Sequence, residues 1–277
     1  MGAAVYRAFT LGRQAVLMRF WRALFRVLAV VLLGAALGVL GLVGLYGRNL
    51  PDVRQLGQLT RRDPASASLV MRAVVVQSED RRFYAHGAVD PLGLLRAGWR
   101  GLRGGALEGG STLTQQLVKN TLLARYGGAR TLERKVREAL LAVRVERTYS
   151  KAQILTAYLH AIYWGSGGAR DLIGVQDAAR AYFGVPAGQL DLAQSVYLTT
   201  LIPAPARYFD YAAQRPRMRE LLNDLVQAGT VSPAEARRAW REPLEPAGWR
   251  VRYTASGSVV QARLVNPDAK DLLTSRP

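Results

Sequence analysis

Twenty consecutive residues without a charge, positions 27–46 (VLAVVLLGAALGVLGLVGLY), constrain the fold more than any other feature of this 277-residue chain. A helix that rises about 1.5 Å per residue needs roughly this length to cross the hydrocarbon core of a bilayer. The segment is apolar on every face, whereas a core helix of a soluble protein is usually apolar along one stripe. We therefore expect a membrane-spanning helix at 27–46.

The charges that flank the span predict its orientation. No acidic residue precedes it, and the basic residues before it are Arg7, Arg13, Arg19, Arg22 and Arg26. Arg48 is the only basic residue among the seven positions that follow. Cytoplasmic flanks carry the excess of positive charge, so residues 1–26 are predicted to lie in the cytoplasm and the rest of the chain outside. A cleaved signal peptide is the alternative, although the apolar stretch is long for one and no small-x-small site follows it.

Charge balance and missing residue types limit the chemistry of the chain. Lysine and arginine total 38 against 20 aspartates and glutamates, and the formal charge of +18 predicts a polyanionic partner such as nucleic acid, anionic lipid or a diphosphate. Cysteine is absent, which excludes disulfides, thiolate nucleophiles and cysteine-based zinc sites. Two histidines, His86 and His160, are too few for a multi-histidine metal site, and both are interpreted as structural.

Beyond the span, helical patterns dominate. Residues 47–66 contain two prolines and are interpreted as a stalk, and residues 67–242 as the folded domain. Within that domain Ser150 and Gln153 have capping-box spacing. Ser232 and Glu235 have the same spacing, with a proline at the predicted first helical position.

A further helix is predicted at residues 131–148, which place apolar side chains on one helical face. Few segments have strand character. Alternating β-branched residues first appear between 251 and 265, inside a C-terminal extension at 243–277, where we expect two short strands. The predicted fold class is therefore mainly α.

Glu79 follows an apolar run in VVVQSEDRRFYAHGAVD, so we expect it at the end of a buried helix. Desolvation there would raise the pKa of its carboxyl group, and such a carboxylate can serve as a general base near neutral pH. The structural alternative is that Glu79 and Asp80 pair with Arg81 and Arg82.

Glu138 follows Lys135 by three residues and Arg134 by four on the predicted helix 131–148, so the three side chains share a face. A carboxylate flanked by two cations could position a diphosphate or a bridging metal. An ordinary solvated salt bridge is the alternative.

The segment GGSTLTQQLVKN, residues 109–120, lies between the two glutamates. Its paired glycines allow the backbone to approach a ligand, and six side chains supply hydrogen-bonding groups without apolar bulk: Ser111, Thr112, Gln115, Gln116, Lys119 and Asn120. A helix that begins after Ser111 would also attract a phosphate. A capped surface helix explains the same pattern.

Five segments together resemble a known family. In order and spacing, the five motifs of glycosyltransferase family 51 match QSEDRRFYAHGAVD, GGSTLTQQLVKN, RKVREALLAVRVE, YSKAQILTAYL and AARAYFGVPAGQLDLAQSVYL. These are the peptidoglycan glycosyltransferases, which occur as monofunctional enzymes or as the N-terminal module of class A penicillin-binding proteins. The resemblance covers about residues 67–242 and implies a mainly α, lysozyme-like domain on the outer face of the cytoplasmic membrane.

The resemblance implies inverting polymerisation of lipid II into glycan strands. Glu79 then corresponds to the general base on the acceptor 4-hydroxyl, and Glu138, with Lys135, to the group that assists departure of the undecaprenyl diphosphate from the growing strand. Substrate binding would involve Ser111, Gln115, Gln116, Lys119, Asn120, Arg130 and Lys135, with Asp80 and Arg134 as auxiliary residues. A divalent cation, Mg²⁺ or Mn²⁺, is expected, without an organic cofactor, and moenomycin is the expected inhibitor.

Partners and location follow from the resemblance and the anchor together. The expected partners are lipid II, the growing lipid-linked strand, the cytoplasmic membrane of a bacterium and penicillin-binding transpeptidases. Nucleic acid is not expected, because the anchor directs the domain away from the genome. Residues 91–107 are predicted to lie at the membrane interface beside the donor cleft.

Several positions depart from the family pattern: Ala88, Thr156, His160, Val185 and Gln194. Ala88 stands where a glycine is usual and could alter the turn beside Glu79. Thr156 and His160 replace a glutamate and an asparagine at positions that are mostly structural in the family, so we expect local repair. These departures keep a low-activity, regulatory form open.

No Ser-x-x-Lys, Ser-x-Asn or Lys-Thr-Gly motif occurs, so the chain, if complete, is predicted to be monofunctional. Two other functions stay open. One is a glycan-cleaving enzyme built on the same lysozyme-like fold. The other is a membrane-anchored adaptor or nucleic-acid binder that acts through its positive charge.

Overall fold

The computed structural model describes residues 2–102, 110–124, 131–166, 171–203, 211–246, 249–254, 256 and 259–264. Two compact units form, Met1–Leu50 and Pro51–Pro277. Helix α1, Gly2–Tyr46, makes up most of the first unit. Its stretch Trp21–Tyr46 has a mean hydropathy of 2.6 and is long and apolar enough to cross a membrane. A helix thus forms over the whole of the predicted span, and it continues through the basic residues before it.

The second unit is built almost entirely of helices. In chain order they are α2 (Gly57–Thr60), α3 (Leu69–Glu79), α4 (Pro91–Leu102), α5 (Leu113–Asn120), α6 (Leu132–Thr148), α7 (Lys151–Ala161), α8 (Val175–Phe183), α9 (Leu192–Leu201), α10 (Tyr211–Gln227) and α11 (Pro233–Arg241). Short 3₁₀ turns lie at Val53–Leu56, Pro64–Ser66, Phe83–Ala85 and Ala187–Gln189. The predicted fold class, mainly α, is confirmed.

Two antiparallel strand pairs complete the described elements. Strand β1 (Tyr163–Ser166) pairs with β2 (Asp171–Ile173), and β3 (Trp249–Tyr253) pairs with β4 (Val259–Leu264). The second pair confirms the two strands expected between 251 and 265, and β4 contacts α10. Residues 247–248, 255, 257–258 and 265–277 of the predicted extension lie outside the described residues.

Helix α9 forms the centre of the core. Eight of its ten residues are buried, because its sequence, LAQSVYLTTL, carries no charge and its two threonine hydroxyl groups donate to carbonyls of the same helix. It begins with a capping box between Asp191 and Gln194. Helices α3, α10 and α11 pack around it. This packing fixes α3, whose last residue is Glu79.

Helix α5 packs between α6 and α7 and shares its buried face with both. Leu113, Leu117 and Val118 of α5 are fully buried. The capping boxes predicted at Ser150 and Ser232 are both present and begin α7 and α11. Burial of its apolar face supplies most of the stability of α5, since an isolated helix of eight residues is marginal in water.

The segment predicted as a stalk belongs to the folded domain instead. Leu56 is 1% exposed, and the turn Val53–Leu56 packs on α6. The Tyr149 hydroxyl donates to the Val53 carbonyl at 3.3 Å, and α2 packs against α7. The two prolines suggested an extended linker, but the apolar residues between them have a partner surface that is distant in sequence.

Candidate active site

Glu79 is the last residue of α3, as the apolar run before it predicts. The residue as a whole is half-buried. Gln116 Nε2 donates to Oε2 at 3.1 Å, and Ser78 Oγ donates to Oε1 at 3.4 Å. Burial raises the pKa of Glu79 above its ordinary value, while the two hydrogen bonds and the positive charge of Lys119 partly offset that rise. A raised pKa makes this carboxylate a stronger base than an ordinary glutamate.

Gln116 is itself held by a residue that the sequence did not single out. The Tyr158 hydroxyl donates to Gln116 Oε1 at 3.1 Å, so the amide nitrogen faces Glu79. Tyr158 is 1% exposed, and burial, together with the charge of Glu79, raises its pKa well above the ordinary value. It therefore stays a protonated donor. A tyrosine within a buried helical stripe needs a partner for its hydroxyl, and this was the available signal.

Asp80 joins the Glu79 segment to the start of α5. Its Oδ1 lies 2.7 Å from His86 Nε2, and its Oδ2 accepts the Leu113 backbone N–H at 3.0 Å. A negative charge at a helix N-terminus is stabilised by the helix dipole and satisfies a backbone donor. Asp80 and His86 therefore have a structural role at this junction, as predicted for the histidine.

The alternative that Glu79 and Asp80 pair with the two following arginines is wrong. Arg81 Nη2 lies 3.6 Å from Asp224, and Arg82 Nη2 lies 3.6 Å from Asp90. The backbone turns sharply at Asp80, whose φ is −160° and ψ 71°, so the arginines after it point toward α10 and the start of α4.

Glu138 lies in the middle of α6 with two cations of the same helix. Lys135 Nζ is 2.9 Å from Oε2, and Arg134 Nε is 3.1 Å from Oε1. The predicted shared face is confirmed, but the alternative of a solvated salt bridge is wrong, because the Glu138 side chain is only 2% exposed. A buried carboxylate that is paired twice is held as an anion in a fixed place.

Lys135 connects this pair to the segment before α5. Its Nζ donates to Ser111 Oγ at 2.7 Å as well as to Glu138, and 47% of its side chain stays exposed. Ser111 directly precedes the N-cap of α5, and Gln116 lies in the first turn of that helix. The two glutamates are therefore each linked by side chains to the same short segment, Glu79 through Gln116 and Glu138 through Lys135 and Ser111.

Gln115, predicted to bind substrate, forms part of a capping box instead. Thr112 is the N-cap of α5: its hydroxyl accepts the Gln115 N–H at 3.2 Å, and Gln115 Oε1 accepts the Thr112 N–H at 3.1 Å. Gln115 is 5% exposed. Thr112 and Gln115 have the same spacing as Ser150 and Gln153, so the signal was present in the sequence.

The phosphate site predicted at the N-terminus of α5 is also corrected. The backbone N–H of Leu113 is bound by the Asp80 carboxylate, and those of Thr112 and Gln115 are used in the capping box. A phosphate would have to displace a protein carboxylate that already occupies the position.

The remaining predicted binding residues lie along or beyond α5. Lys119 is exposed near the end of the helix, and Asn120, its last residue, is half-buried. Lys119 is close enough to lower the pKa of Glu79. Arg130 lies outside the described residues.

A second network that the sequence did not reveal anchors α5. Thr114 Oγ1 donates to Glu146 Oε1 at 2.5 Å, and Lys151 Nζ lies 2.8 Å from the same oxygen. Lys151 Nζ also lies 4.4 Å from the centre of the Phe83 ring. These contacts tie α5 to α6 and α7, the two helices that carry Glu138 and Tyr158.

Three of the residues that depart from the family pattern, Thr156, His160 and Gln194, have hydrogen-bond partners within the fold. Thr156 donates to the Ala152 carbonyl at 2.9 Å, and His160 Nε2 lies 2.9 Å from Ser66 Oγ. Gln194 completes the capping box of α9. Hydrogen bonds of this kind are the local repair that we expected.

A divalent cation has no protein cage in the described part of the chain. No group of three His, Cys, Asp or Glu side chains that could hold a metal ion occurs among those residues. Glu138, the carboxylate that the sequence suggests as a ligand for a bridging metal, is already paired with Lys135 and Arg134, and two adjacent cations disfavour a third. These residues do not fit a protein-held Mg²⁺ or Mn²⁺.

Comparison of the sequence with known proteins identifies the family of this chain. A family model described as Transglycosylase matches residues 53–226, so the match begins inside the segment predicted as a stalk. A provisionally named transglycosylase of Cupriavidus necator is 34% identical over 234 residues, which cover 82% of this chain and 98% of that protein.

Two longer relatives share only this part of their sequence. Penicillin-binding protein 1A of Aquifex aeolicus is 41% identical over 61% of this chain, and penicillin-binding protein 1B of Vibrio cholerae is 38% identical over 74% of it. The matches cover 23% and 26% of those relatives, so the chain spans about a quarter of their length. With a family model that covers more than half of it and a relative matched almost from end to end, the chain belongs to the transglycosylases of glycosyltransferase family 51.

Proposed function

We propose that the chain is a peptidoglycan glycosyltransferase that polymerises lipid II into glycan strands with inversion at the anomeric carbon. One observation carries the proposal. Two glutamates in opposite surroundings, one partly exposed with neutral hydrogen-bond donors and one buried between cations, are linked to the same segment at the start of α5. Sugar transfer from a diphosphate needs a base on one side and positive charge on the other.

On the acceptor side, Glu79 takes the proton of the sugar 4-hydroxyl. The hydroxyl oxygen forms a bond to the anomeric carbon of the donor as the proton passes to the carboxylate. Burial makes Glu79 more basic than an ordinary glutamate, while Gln116 and Lys119 keep it ionised before the reaction. The two influences together suit a base that must be charged yet reactive.

On the donor side, positive charge stabilises the leaving group. The bond between the anomeric carbon and the diphosphate oxygen breaks, and the electron pair stays on the diphosphate. Lys135, half exposed and held by Glu138 and Ser111, is placed to neutralise that charge. Glu138 assists departure by fixing Lys135 and Arg134 rather than by giving up a proton. Other predicted contacts to the donor are Ser111, Gln116, Lys119, Asn120 and Arg130.

A divalent cation enters no step of this mechanism. A Mg²⁺ or Mn²⁺ requirement would be met, in our proposal, by an ion that arrives with the substrate diphosphate rather than by a site built from protein carboxylates.

The substrate is also compatible with the first unit. A lipid-linked substrate remains in the bilayer, and Trp21–Tyr46 is long enough to keep the chain there. The basic residues before the apolar stretch favour a cytoplasmic N-terminus, with the domain outside. Helix α4 exposes Leu92, Leu95 and Trp99 and is our candidate for contact with the membrane surface. Penicillin-binding transpeptidases, which cross-link glycan, are the proposed protein partners.

The test is polymerisation of labelled lipid II by the detergent-solubilised full chain. Wild type should produce long glycan, and Glu79→Gln should lower the rate at least about a hundredfold, the usual contribution of a general base. Glu133→Gln is the matched control, because Glu133 is a half-exposed glutamate that pairs with Arg137 on α6 at 2.9 Å. It should retain wild-type activity.

Two other outcomes would redirect the proposal. Shortening of purified sacculi without a lipid-linked donor would indicate a glycan-cleaving enzyme. Equal inertness of wild type and Glu79→Gln toward lipid II, with DNA binding that falls steeply as salt rises, would indicate a charge-driven binding protein.

A further inference from the structure

We propose that Tyr158 is a positioning residue for Glu79: its hydroxyl holds the Gln116 amide in the one orientation that donates a hydrogen bond to the carboxylate. The inference rests on the proposed role of Glu79 as the base. It adds a residue from α7, in the fourth motif, to a site otherwise formed by α3, α5 and α6.

Three residues form a continuous chain of hydrogen bonds. The Tyr158 hydroxyl donates to Gln116 Oε1 at 3.1 Å, and Gln116 Nε2 donates to Glu79 Oε2 at 3.1 Å. Tyr158 is 1% exposed, so its hydroxyl has no access to bulk water. In the part of the chain that the structure describes, Gln116 is the partner of that hydroxyl.

The orientation of the amide decides its effect on Glu79. With its oxygen bound to Tyr158, Gln116 offers an N–H to the carboxylate and favours the ionised form. With the amide reversed, a carbonyl oxygen would face the carboxylate and would favour the protonated form instead. The reversed amide would also leave the proton of a buried tyrosine without an acceptor, which is costly. The hydroxyl therefore selects the orientation that keeps Glu79 ready to accept a proton.

Other groups around Glu79 cannot make this selection. Lys119 of α5 favours the ionised carboxylate in either amide orientation, and the neighbouring charge of Asp80 opposes it. Ser78 donates from the same helix at 3.4 Å, longer than the bond from Gln116. Tyr158 itself stays neutral because burial raises its pKa. Gln116 is thus the partner of Glu79 whose influence can change sign.

The test is the pH dependence of kcat/KM for lipid II polymerisation by Tyr158→Phe. The acidic limb of the profile reports ionisation of the base, and we expect it to move upward by about half to one pH unit, the scale of one hydrogen bond to a charged group. Activity on the acidic side should fall about three- to tenfold and recover at higher pH. A purely structural tyrosine would lower activity equally at every pH.

Tyr182→Phe is the matched control. Tyr182 is also 1% exposed, and its hydroxyl donates to the Trp164 carbonyl at 3.2 Å. Removal of this hydroxyl should lower thermal stability to a similar extent and leave the acidic limb where wild type has it. An equal shift in both variants would overturn the proposal.

A variant of Gln116 tests whether Tyr158 acts on Glu79 through the Gln116 amide. In Gln116→Met the linking amide is gone, so addition of Tyr158→Phe should cause no further shift of the acidic limb. A shift that persists in this background would mean that Tyr158 acts on Glu79 without Gln116, and the proposal would be wrong.

Direct titration keeps the proposal testable where activity is too low. NMR of the full chain in detergent with ¹³C-labelled glutamate should resolve Glu79 among nine glutamates by the loss of its signal in Glu79→Gln. Tyr158→Phe should raise the titration midpoint of that signal. If the midpoint is unchanged and Glu79→Gln is inactive, the role of Tyr158 is wrong but Glu79 can still be the base. If Glu79→Gln is active, the proposed role of Glu79 as the base is wrong as well.

Discussion

Glu79 and Glu138 are the same side chain in opposite surroundings. Glu138 is 2% exposed and is compensated by two cations, whereas Glu79 is partly exposed, lies in a partly desolvated position and has mainly neutral donors as partners. The first arrangement fixes charge and the second keeps a carboxylate reactive. The carboxylate that we propose as the base is therefore less fully compensated than the one that we propose holds cations for the leaving group.

The origin of the partners differs as well. Glu138 finds Lys135 and Arg134 three and four residues away on its own helix. Glu79 depends on Gln116 and Lys119, which come from a helix more than thirty residues further along the chain. Local pairs form whenever the helix forms, whereas the surroundings of Glu79 exist only in the folded domain.

The largest effect on stability should follow removal of the buried anion. Glu138→Ala leaves Arg134, whose side chain is 16% exposed, beside a buried gap, so we expect a loss of about 3 kcal/mol in the free energy of unfolding. Glu79→Gln should leave stability unchanged or raise it at neutral pH, because it removes a poorly compensated charge. Denaturant unfolding of both variants measures the difference.

Glu133→Ala is the control for the first comparison. Glu133 is half exposed and pairs with Arg137 on the same helix, so its loss should cost less than about 1 kcal/mol. If Glu138→Ala were no more destabilising than Glu133→Ala, the description of Glu138 as a buried carboxylate held by two cations would be wrong.

An intermediate effect should come from the cap that holds α5 in place. Thr112→Ala removes one half of a capping box and the hydrogen bond to the Ala88 carbonyl at 2.8 Å, so stability should fall by about 1 kcal/mol. Ser232→Ala removes the corresponding cap of α11, a helix that carries none of the proposed site residues. Both should lower the unfolding temperature, but only Thr112→Ala should also slow polymerisation, because α5 carries Gln116. Equal activity of the two variants would contradict the central place of α5.

The smallest effect is a pH dependence of stability that Glu79 alone introduces. Its pKa in the folded protein is raised by burial, so the folded state holds the proton more tightly than the unfolded state. Stability should therefore decrease as pH rises from about 4.3, the unfolded value, through the raised folded value. Thermal unfolding of wild type and Glu79→Gln measures the difference in stability between them. This difference should favour the variant, should grow across this pH window and should stay constant above it. If the difference in stability became smaller as pH rises, the pKa of Glu79 would be lowered rather than raised in the folded protein.

Features that depend on neighbours in sequence could be predicted well. The apolar span, the capping boxes at Ser150 and Ser232 and the shared face of Lys135 and Glu138 all follow from spacings of three or four residues or from one continuous run. The position of Glu79 at a helix end followed from the apolar residues before it. The Gln115 cap was equally local and was missed because its side chain also suits a ligand.

Features that depend on distant contacts could not. The supposed stalk packs because Val53 lies beside Tyr149, and the hydrogen bond between them joins residues 96 positions apart. Tyr158 reaches Gln116 across 42 positions. In the sequence, Tyr158 has the spacing of any core residue, and nothing in its own helix says where its hydroxyl points.

By itself, the sequence determined which segments are helices, where several of them begin, which segment can cross a membrane and which carboxylates stand near cations in the chain. The tertiary structure decided which carboxylate is buried, which amide faces Glu79 and which donors at the start of α5 are already occupied. The reason is physical: helix formation depends on interactions within about one turn, whereas desolvation and hydrogen-bond orientation depend on what other segments bring to the same place.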